Sequence, residues 1–361
     1  MIEPYGVACM QTVVKSTQFA GDRQKAKEIM NGNLKRNLEL IDGLFEGRSQ
    51  SGAKEYTEEL RIPMPIPTKL IVFPETQLAG FPFSGVTAKQ WMEKGCITMP
   101  GEETDQFAEC ARKYNIYICG HAYELDPDWP GRYFNTAFII DPSGKIALKY
   151  RKFCSLYATT PLDVLDEYIK KYGVDGMFPV IDTPIGKLAA AVCCDYGYPE
   201  VWRCLAMNGA EVVAHPTGGP NWYADPGGGR ELMRKSRALE NMYYIAYAQM
   251  GRLVDESLME ARMYGHSGII DYEGKVVAEA PHAGEVVVRE VIDIQILRRR
   301  RAARTMLQDN MNEAFAKFYE KHVMFPANKW RDKPMESPAE KFRVSGENLR
   351  ELFKKGVFTA P

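Results

Sequence analysis

Three apolar runs in this chain stop at a side chain able to do chemistry. Lys69-Leu-Ile-Val-Phe73 is followed by Pro74 and Glu75, Ile146-Ala-Leu-Lys-Tyr150 by Arg151 and Lys152, and Leu188-Ala-Ala-Ala-Val192 by Cys193 and Cys194. A thiol attacks well only as a thiolate, so it needs a base. A partly buried carboxylate with a raised pKa can take that proton. A fixed ammonium stabilises the oxyanion formed when sulfur attacks a carbonyl. Glu, Lys and Cys together make a self-sufficient acyl-transfer site that needs neither metal nor cofactor. Each also has a plain structural alternative: Glu75 capping a turn, Lys152 as a solvated strand end, Cys193 as a small buried hydrophobe.

The elements around these residues must bring the three tips together. Leu188–Val192 is small and apolar throughout, the pattern of a strand buried on both faces. Cys-Cys-Asp-Tyr-Gly-Tyr breaks the run, and Pro199 with Glu200 opens a helix carrying Val201, Trp202, Leu205 and Ala206. Cys193 is therefore expected at the rigid end of a buried strand, on a tight turn near backbone N–H groups, a placement that suits a nucleophile. Elsewhere the pattern gives strands at Gly6–Gln11, Ile116–His121, Glu211–His215, Tyr243–Met250 and Glu285–Ile292. Helices are expected at Asp22–Phe45, Glu102–Tyr114 and Arg230–Asn241, with a short one at Leu162–Lys171. Hairpins are expected at Tyr133–Tyr150 and Ser267–Glu279. Helices alternating with strands, with hairpins inserted, predict an α/β layer fold with mixed sheets. Ligands in such sheets bind beyond the carboxyl ends of the strands, so the three tips are expected in one crevice. Tyr196, Thr217 and Trp222 follow the relevant strands and are candidates for shaping the pocket.

Composition narrows the partners. A net charge of −1 over 361 residues gives no electrostatic case for nucleic acid. The run Arg298–Arg301 reads as a solvated face or an interface patch at the opening of a helix. No apolar run approaches the roughly 20 residues of a spanning helix, and the first residues lack a signal pattern. Eight cysteines without a C-x-x-C pair point to free thiols and a reducing compartment, by default the cytoplasm. The five histidines lack metal-ligand spacing, so no metal is expected. His215 and His266 read as strand-end hydrogen-bonding residues. Gly227–Gly229 reads as a pocket loop, since no nucleotide-binding glycine pattern accompanies it. Residues 301–361, charged and punctuated by proline, read as an extension on the body or on a partner subunit.

Taken together, Phe73-Pro-Glu75, Tyr150-Arg-Lys152 and Val192-Cys-Cys-Asp-Tyr-Gly-Tyr-Pro-Glu200 with Arg203 resemble the nitrilase (carbon–nitrogen hydrolase) superfamily. The order Glu, Lys, Cys matches, as do Gln11, Asn135, Thr183–Lys187, Asn208–Val213, Arg237–Asn241 and Gly265–Asp271. The resemblance spans about residues 5–300 and implies an α-β-β-α sandwich, a nitrilase-like fold whose protomers pair through helices into four layers, as a homodimer or a larger homo-oligomer. It also implies that Cys193 is the nucleophile, Glu75 the general base and acid, and Lys152 the oxyanion stabiliser with the Cys194 N–H. Members often carry a second carboxylate after the lysine. Here Glu167 is the choice, with Asp163 and Asp166 as rivals. Phe153-Cys-Ser follows the lysine, where many members have His-Leu or Ile-Pro. The cysteine motif is similar to that of amidases and carbamoylases and lacks the Trp-Glu-Asn of many nitrilases. The implied activity is hydrolysis of a small amide or N-carbamoyl compound through a thioester, with release of ammonia. Alternatives are a nitrilase acting on a small nitrile, and a catalytically silent regulatory or scaffold member. On the amidase reading, Cys193 is expected to have a low pKa and to be the fastest thiol to alkylate.

Overall fold

The first strand, β1 (Tyr5–Gln11), is buried along its whole length. Tyr5, Val7 and Cys9 enter one apolar cluster, while Ala8 and Met10 enter another. The period of two thus feeds two cores at once, and for that reason the strand has no polar face. The computed structural model describes residues 1–47, 66–82, 85–155, 158–218, 228–254, 261–262, 265–303, 312–321 and 350–357, with single positions at 332, 337, 340, 347 and 359.

After β1 the chain forms β2 (Val13–Lys15), α1 (Arg23–Glu46), β3 (Thr68–Val72), α2 (Ala88–Lys94), β4 (Cys96–Thr98), α3 (Glu102–Tyr114), β5 (Tyr117–Leu125), β6 (Phe134–Ile140) and β7 (Ile146–Arg151). It continues through α4 (Leu165–Tyr172), β8 (Val180–Thr183), β9 (Gly186–Ala190), α5 (Pro199–Met207), β10 (Val212–Thr217), α6 (Gly229–Asn241) and β11 (Tyr244–Gln249). Then come β12 (Arg252–Val254), β13 (Ala261–Arg262), β14 (Gly268–Ile270), β15 (Val276–Glu279), β16 (Val286–Ile292), α7 (Ile294–Ala303) and α8 (Asn312–Lys321).

One sheet runs β16-β1-β3-β5-β6-β7, with β4 also paired to β5. The second runs β15-β14-β11-β10-β9-β8. Both are mixed: β1, β3 and β5 are parallel neighbours, as are β9, β10 and β11, while the hairpin strands are antiparallel. Val7, Val72, Ala137 and Tyr150 of the first sheet and Leu188, Val213 and Ile245 of the second belong to one buried cluster, which fills the space between the sheets. Met30, Leu34 and Ile41 of α1 and Phe107 and Ala111 of α3 cover the outer face of the first sheet. Trp202 and Leu205 of α5 and Ala238 of α6 pack against the second. The result is the α-β-β-α sandwich of mixed sheets expected from the alternation. Strand β16 pairs antiparallel with β1 across the full register from Tyr5↔Ile292 to Gln11↔Val286, so segments nearly 300 residues apart in the chain lie side by side in the first sheet.

The basic run differs from the expectation. α7 starts at Ile294, four residues before Arg298, because Asp293 Oδ1 caps it by accepting the N–H groups of Gln295 (2.7 Å) and Ile296 (3.0 Å). Arg298 is held by Glu211 at 2.6 Å, and Arg301 donates to the carbonyl oxygens of Met242 and Ala210. These arginines tie the helix to the second sheet and are not a purely solvated face. Among the described residues, no helix is long and apolar enough to cross a membrane.

Candidate active site

Glu75 lies just beyond β3 and is almost completely buried, with 1% of its surface exposed. Its Oε1 accepts from Lys152 Nζ at 2.7 Å and from Asn135 Nδ2 at 2.8 Å, and Oε2 accepts the Gly218 N–H at 3.2 Å. Burial alone would push this carboxyl up. Lys152, His121 and the hydrogen bonds outweigh burial and hold it at about 2. Glu75 is therefore ionised at rest.

A chain of hydrogen bonds fixes the carboxylate. The Thr76 N–H donates to His121 Nδ1 at 2.8 Å, so that nitrogen carries no proton. His121 Nε2 must then be the donor to Asn135 Oδ1, at 2.6 Å, which leaves the Asn135 amide N–H pointing at Glu75. Burial, above all, lowers His121 to about 4, consistent with this neutral ring. Thr76 pays a local strain, with φ at 61°, to aim its N–H at the ring.

Lys152 follows β7, and its N–H donates to the Asn135 carbonyl at 2.9 Å. Burial pulls its ammonium down, but Glu75 and then Cys193 raise it well above the ordinary lysine range. The preceding residue anchors the strand end. Arg151 pairs with the buried Glu124 at 2.9 Å and with Asp126, and its guanidinium lies 4.3 Å from the centre of the Phe134 ring.

Cys193 opens a 3-10 turn, Cys193–Gly197, three residues beyond the end of β9. Pro199 occupies the first turn of α5, as its fixed φ favours. Cys193 itself has φ 43°, a left-handed conformation rare for a residue with a Cβ. Such strain persists only where surroundings over-determine it. Here His215 Nε2 donates to the Cys193 carbonyl at 3.1 Å, and Asp195 holds the turn from within. Asp195 Oδ2 accepts the Val192 N–H at 3.0 Å and the Tyr150 hydroxyl at 2.8 Å, while Oδ1 accepts the Cys154 N–H at 2.9 Å. One buried carboxylate thus clamps the lysine-bearing segment to the cysteine turn. The thiol of Cys193 lies 3.8 Å from that of Cys194. That contact and burial push the Cys193 thiol well above its ordinary range, Glu75 adds to the rise, and Lys152 opposes it. The contact with Cys194 and burial thus favour the protonated thiol at rest, against the opposing pull of Lys152, where the sequence leads one to expect an acidic one.

Of the three strand tips named from the sequence, Glu75 and Lys152 are in contact at 2.7 Å, and Cys193 lies close enough to interact electrostatically with both. Cys194 is exposed beside Cys193. Tyr196 is half-buried and sets its ring edge-on to His215, with centroids 6.3 Å apart. Thr217 is buried at the end of β10, next to the Gly218 N–H that reaches Glu75. Gly218 must lack a side chain, since a Cβ there would stand 2.4 Å from the Phe81 ring and 3.3 Å from Glu75 Oε2. Trp222 lies outside the described residues. Glu167 is not brought to the site: it is exposed on α4. Its rival Asp163 is buried, but its carboxylate caps its own 3-10 turn by accepting the Thr160 N–H at 2.7 Å, and Asp166 is exposed. The carboxylate that does act on Lys152, besides Glu75, is Asp195. His121, Asp195 and the Arg151–Glu124 pair escaped the sequence reading. Among the described residues, no three His, Cys, Asp or Glu side chains converge as metal ligands.

Comparison with known proteins agrees with this geometry. The model of the family described as carbon-nitrogen hydrolase matches residues 6–301. Omega-amidase NIT2-B of Xenopus laevis is 28% identical over 205 residues, covering 55% of this chain and 69% of the relative. A formamidase of Bacillus thuringiensis is 33% identical over 209 residues, covering 57% of this chain and 54% of the relative. The solved structure of Saccharomyces cerevisiae Nit3, a member of branch 10 of the nitrilase superfamily, shares the fold with a TM-score of 0.60 at 24% identity, covering 84% of this chain and 96% of that one. With the family model matched across both sheets and all three converging strand tips, this chain belongs to the carbon–nitrogen hydrolase family.

Proposed function

We propose that this protein is a thiol amidohydrolase that cleaves the C–N bond of a small amide or N-carbamoyl compound. The observation that carries the reading is the buried Glu75–Lys152 pair, joined at 2.7 Å and acting electrostatically on the Cys193 thiol. Resemblance to an omega-amidase and a formamidase supports the substrate class.

The resting charges suggest how the steps are coupled. Substrate attack transfers the Cys193 proton to the Glu75 carboxylate as the C–S bond forms. Lys152 loses its counter-charge at that moment, and its ammonium becomes available to the new oxyanion, with the Cys194 N–H as second donor. Collapse breaks the C–N bond, and Glu75 returns the proton to the departing nitrogen, giving ammonia and a thioester. Glu75, again ionised, then deprotonates water, which attacks the thioester; the C–S bond breaks, Glu75 passes the proton to the Cys193 sulfur, and the acid product leaves. His121 and Asn135 hold Glu75 in position, and Asp195 holds Lys152 and Cys193 in register. Tyr196, Thr217 and Trp222 remain candidates for shaping the substrate end of the pocket.

Ammonia release from amides, ureido acids and nitriles tests the class. Turnover of amides or ureides without nitriles supports the reading, and nitrile turnover alone would overturn it. We further propose that residues 1–300 form the hydrolase domain and 301–361 an extension. Two copies are proposed to pair through α5 and α6, where Met207, Leu232 and Leu239 are exposed. The free thiols suit a reducing compartment such as the cytoplasm.

A further inference from the structure

α6 buries an arginine against the second sheet. Arg234, Ala238 and Asn241 form the inward side of this helix, and Arg234 stands where the helical period calls for an apolar residue. It is 1% exposed, and its guanidinium carbon lies 4.3 Å from the centre of the Tyr247 ring. Stacking on a ring covers the flat face of a guanidinium but supplies no acceptor to its N–H edge. Nε and Nη1 are accordingly buried without a hydrogen-bond partner. Both acids of α6 pair elsewhere, Glu231 with Lys235 and Glu240 with Arg237 at 3.0 Å. Among the described residues, no carboxylate forms an ion pair with Arg234. Arginine is almost never fully buried unless paired, and a guanidinium does not relieve its charge by losing a proton. Two further buried polar atoms lack partners beside it, Tyr247 Oη and His215 Nδ1. Tyr247 and His215 are register partners on β11 and β10, so their side chains share one face. Gly268, opposite Tyr247 on β14, has to lack a side chain, because a Cβ there would stand 2.5 Å from Tyr247 Oη. His215 Nε2 donates to the Cys193 carbonyl at 3.1 Å, and Arg237 of α6 donates to the Tyr196 carbonyl at 3.2 Å, so this cluster borders the nucleophile turn.

We infer that Arg234 anchors a buried site for one carboxylate group between α6 and the second sheet. The N–H fork of a guanidinium matches the two oxygens of a carboxylate, and such charge-assisted bonds are the strong ones. The bound negative charge offsets a burial that is otherwise uncompensated. Tyr247 Oη adds a donor. His215 Nδ1, whose ring proton sits on Nε2, is an acceptor and suits a water that accompanies the carboxylate. The carboxylate belongs either to a free small acid or to the far end of a substrate, and both sources present the same group to Arg234.

The test is denaturant unfolding of the full chain in sodium formate and in sodium chloride at equal ionic strength, for the unsubstituted protein and for R234M, which keeps bulk and removes the charge. The few heavy atoms of formate put its best Kd on the order of 1 mM. At about 100 mM salt, the folded-to-unfolded ratio of the unsubstituted protein is expected to be at least about tenfold higher in formate than in chloride. R234M is expected to give the same ratio in both. A formate gain of equal size in R234M, or no gain in the unsubstituted protein, would overturn the inference. Should R234M fail to fold, R234K decides: a point charge replaces the fork, so the gain is expected to shrink several-fold, and an undiminished gain would overturn the inference. None of these readouts depends on turnover. Ammonia release then identifies the source, and this arm rests on the amidase reading. It compares two amides of equal length, one ending in a carboxylate and one in a methyl group. A KM that rises in R234M only for the carboxylate-bearing amide identifies the substrate's own end, and two unchanged KM values identify a free acid. Lack of turnover with either amide would count against the amidase reading and leave the formate result to decide the site.

Discussion

Replacing Glu75 by glutamine separates charge from shape at the centre of this site. Glutamine can keep Oε1 where it accepts from Lys152 and Asn135, and it gives up only the longer contact with the Gly218 N–H, at 3.2 Å. The change that matters is the loss of the negative charge beside Lys152, whose residue surface is 5% exposed. Removing one partner of a buried pair typically costs about 3–5 kcal/mol, because the other charge is left uncompensated. The lysine has an escape, which is to lose its proton. From an unfolded pKa near 10.4, deprotonation costs about 4.6 kcal/mol at pH 7 but only about 1.9 kcal/mol at pH 9, and this caps the penalty. In the unsubstituted protein Lys152 stays charged over this range, because its folded pKa is raised. Denaturant unfolding of both proteins at the two pH values is the assay. E75Q is expected to lose about 3–5 kcal/mol at pH 7 and no more than about 2 kcal/mol at pH 9. A loss under about 1 kcal/mol at pH 7, or a loss that does not shrink at pH 9, would refute the reasoning about the unpaired ammonium.

D195N leaves one of the Val192 and Cys154 N–H groups facing an amide donor, so it is expected to destabilise by about 2 kcal/mol. As Asp195 positions groups without touching substrate, kcat should fall while KM changes little; an equal fall through KM alone would contradict the clamp. Gly218→Ala forces the Phe81 ring aside, with an expected cost of about 1–3 kcal/mol and reduced turnover, measured by unfolding and ammonia release. Unaltered stability and rate would show that the close approach is unimportant. Acid should weaken the fold early. His121 and His215 are lowered, by burial first, to about 4 and about 3, so the unfolded chain binds protons that the folded one refuses. Stability is then complete above pH 6.5 and is lost as pH falls towards 4, by about 3 kcal/mol for His121 alone. Flat stability between pH 6.5 and 4.5 would be inconsistent with neutral buried rings.

The reactive tips were legible because each ends an uninterrupted apolar run, and Pro199 marks the helix start that forces the turn after Cys193. The buried helpers were not. His121 interrupts its strand with a polar side chain, so the run reads as ending there, whereas β5 continues to Leu125. It can do so because Thr76 and Asn135 satisfy His121, and Arg151 and Lys149 satisfy Glu124. Those partners are 14 to 45 positions away along the chain, at Asn135 and Thr76 for His121, and at Arg151 for Glu124. Asp195 stands two residues from the nucleophile, but its purpose depends on Tyr150 and Cys154, more than 40 positions upstream. Glu167 stands out in the sequence only by its position after the lysine. Nothing local says which face of α4 turns to solvent, and the face that does carries Glu167.

The central claim is that the sulfur of residue 193 carries the acyl group. Rapid quenching of the protein with a slowly hydrolysed amide, followed by peptide mass mapping, reads this directly. The expected result is the acyl mass on the peptide containing Cys193, absent in a folded C193A protein that releases no ammonia. An acyl mass on another residue, or sustained ammonia release by C193A, would contradict it.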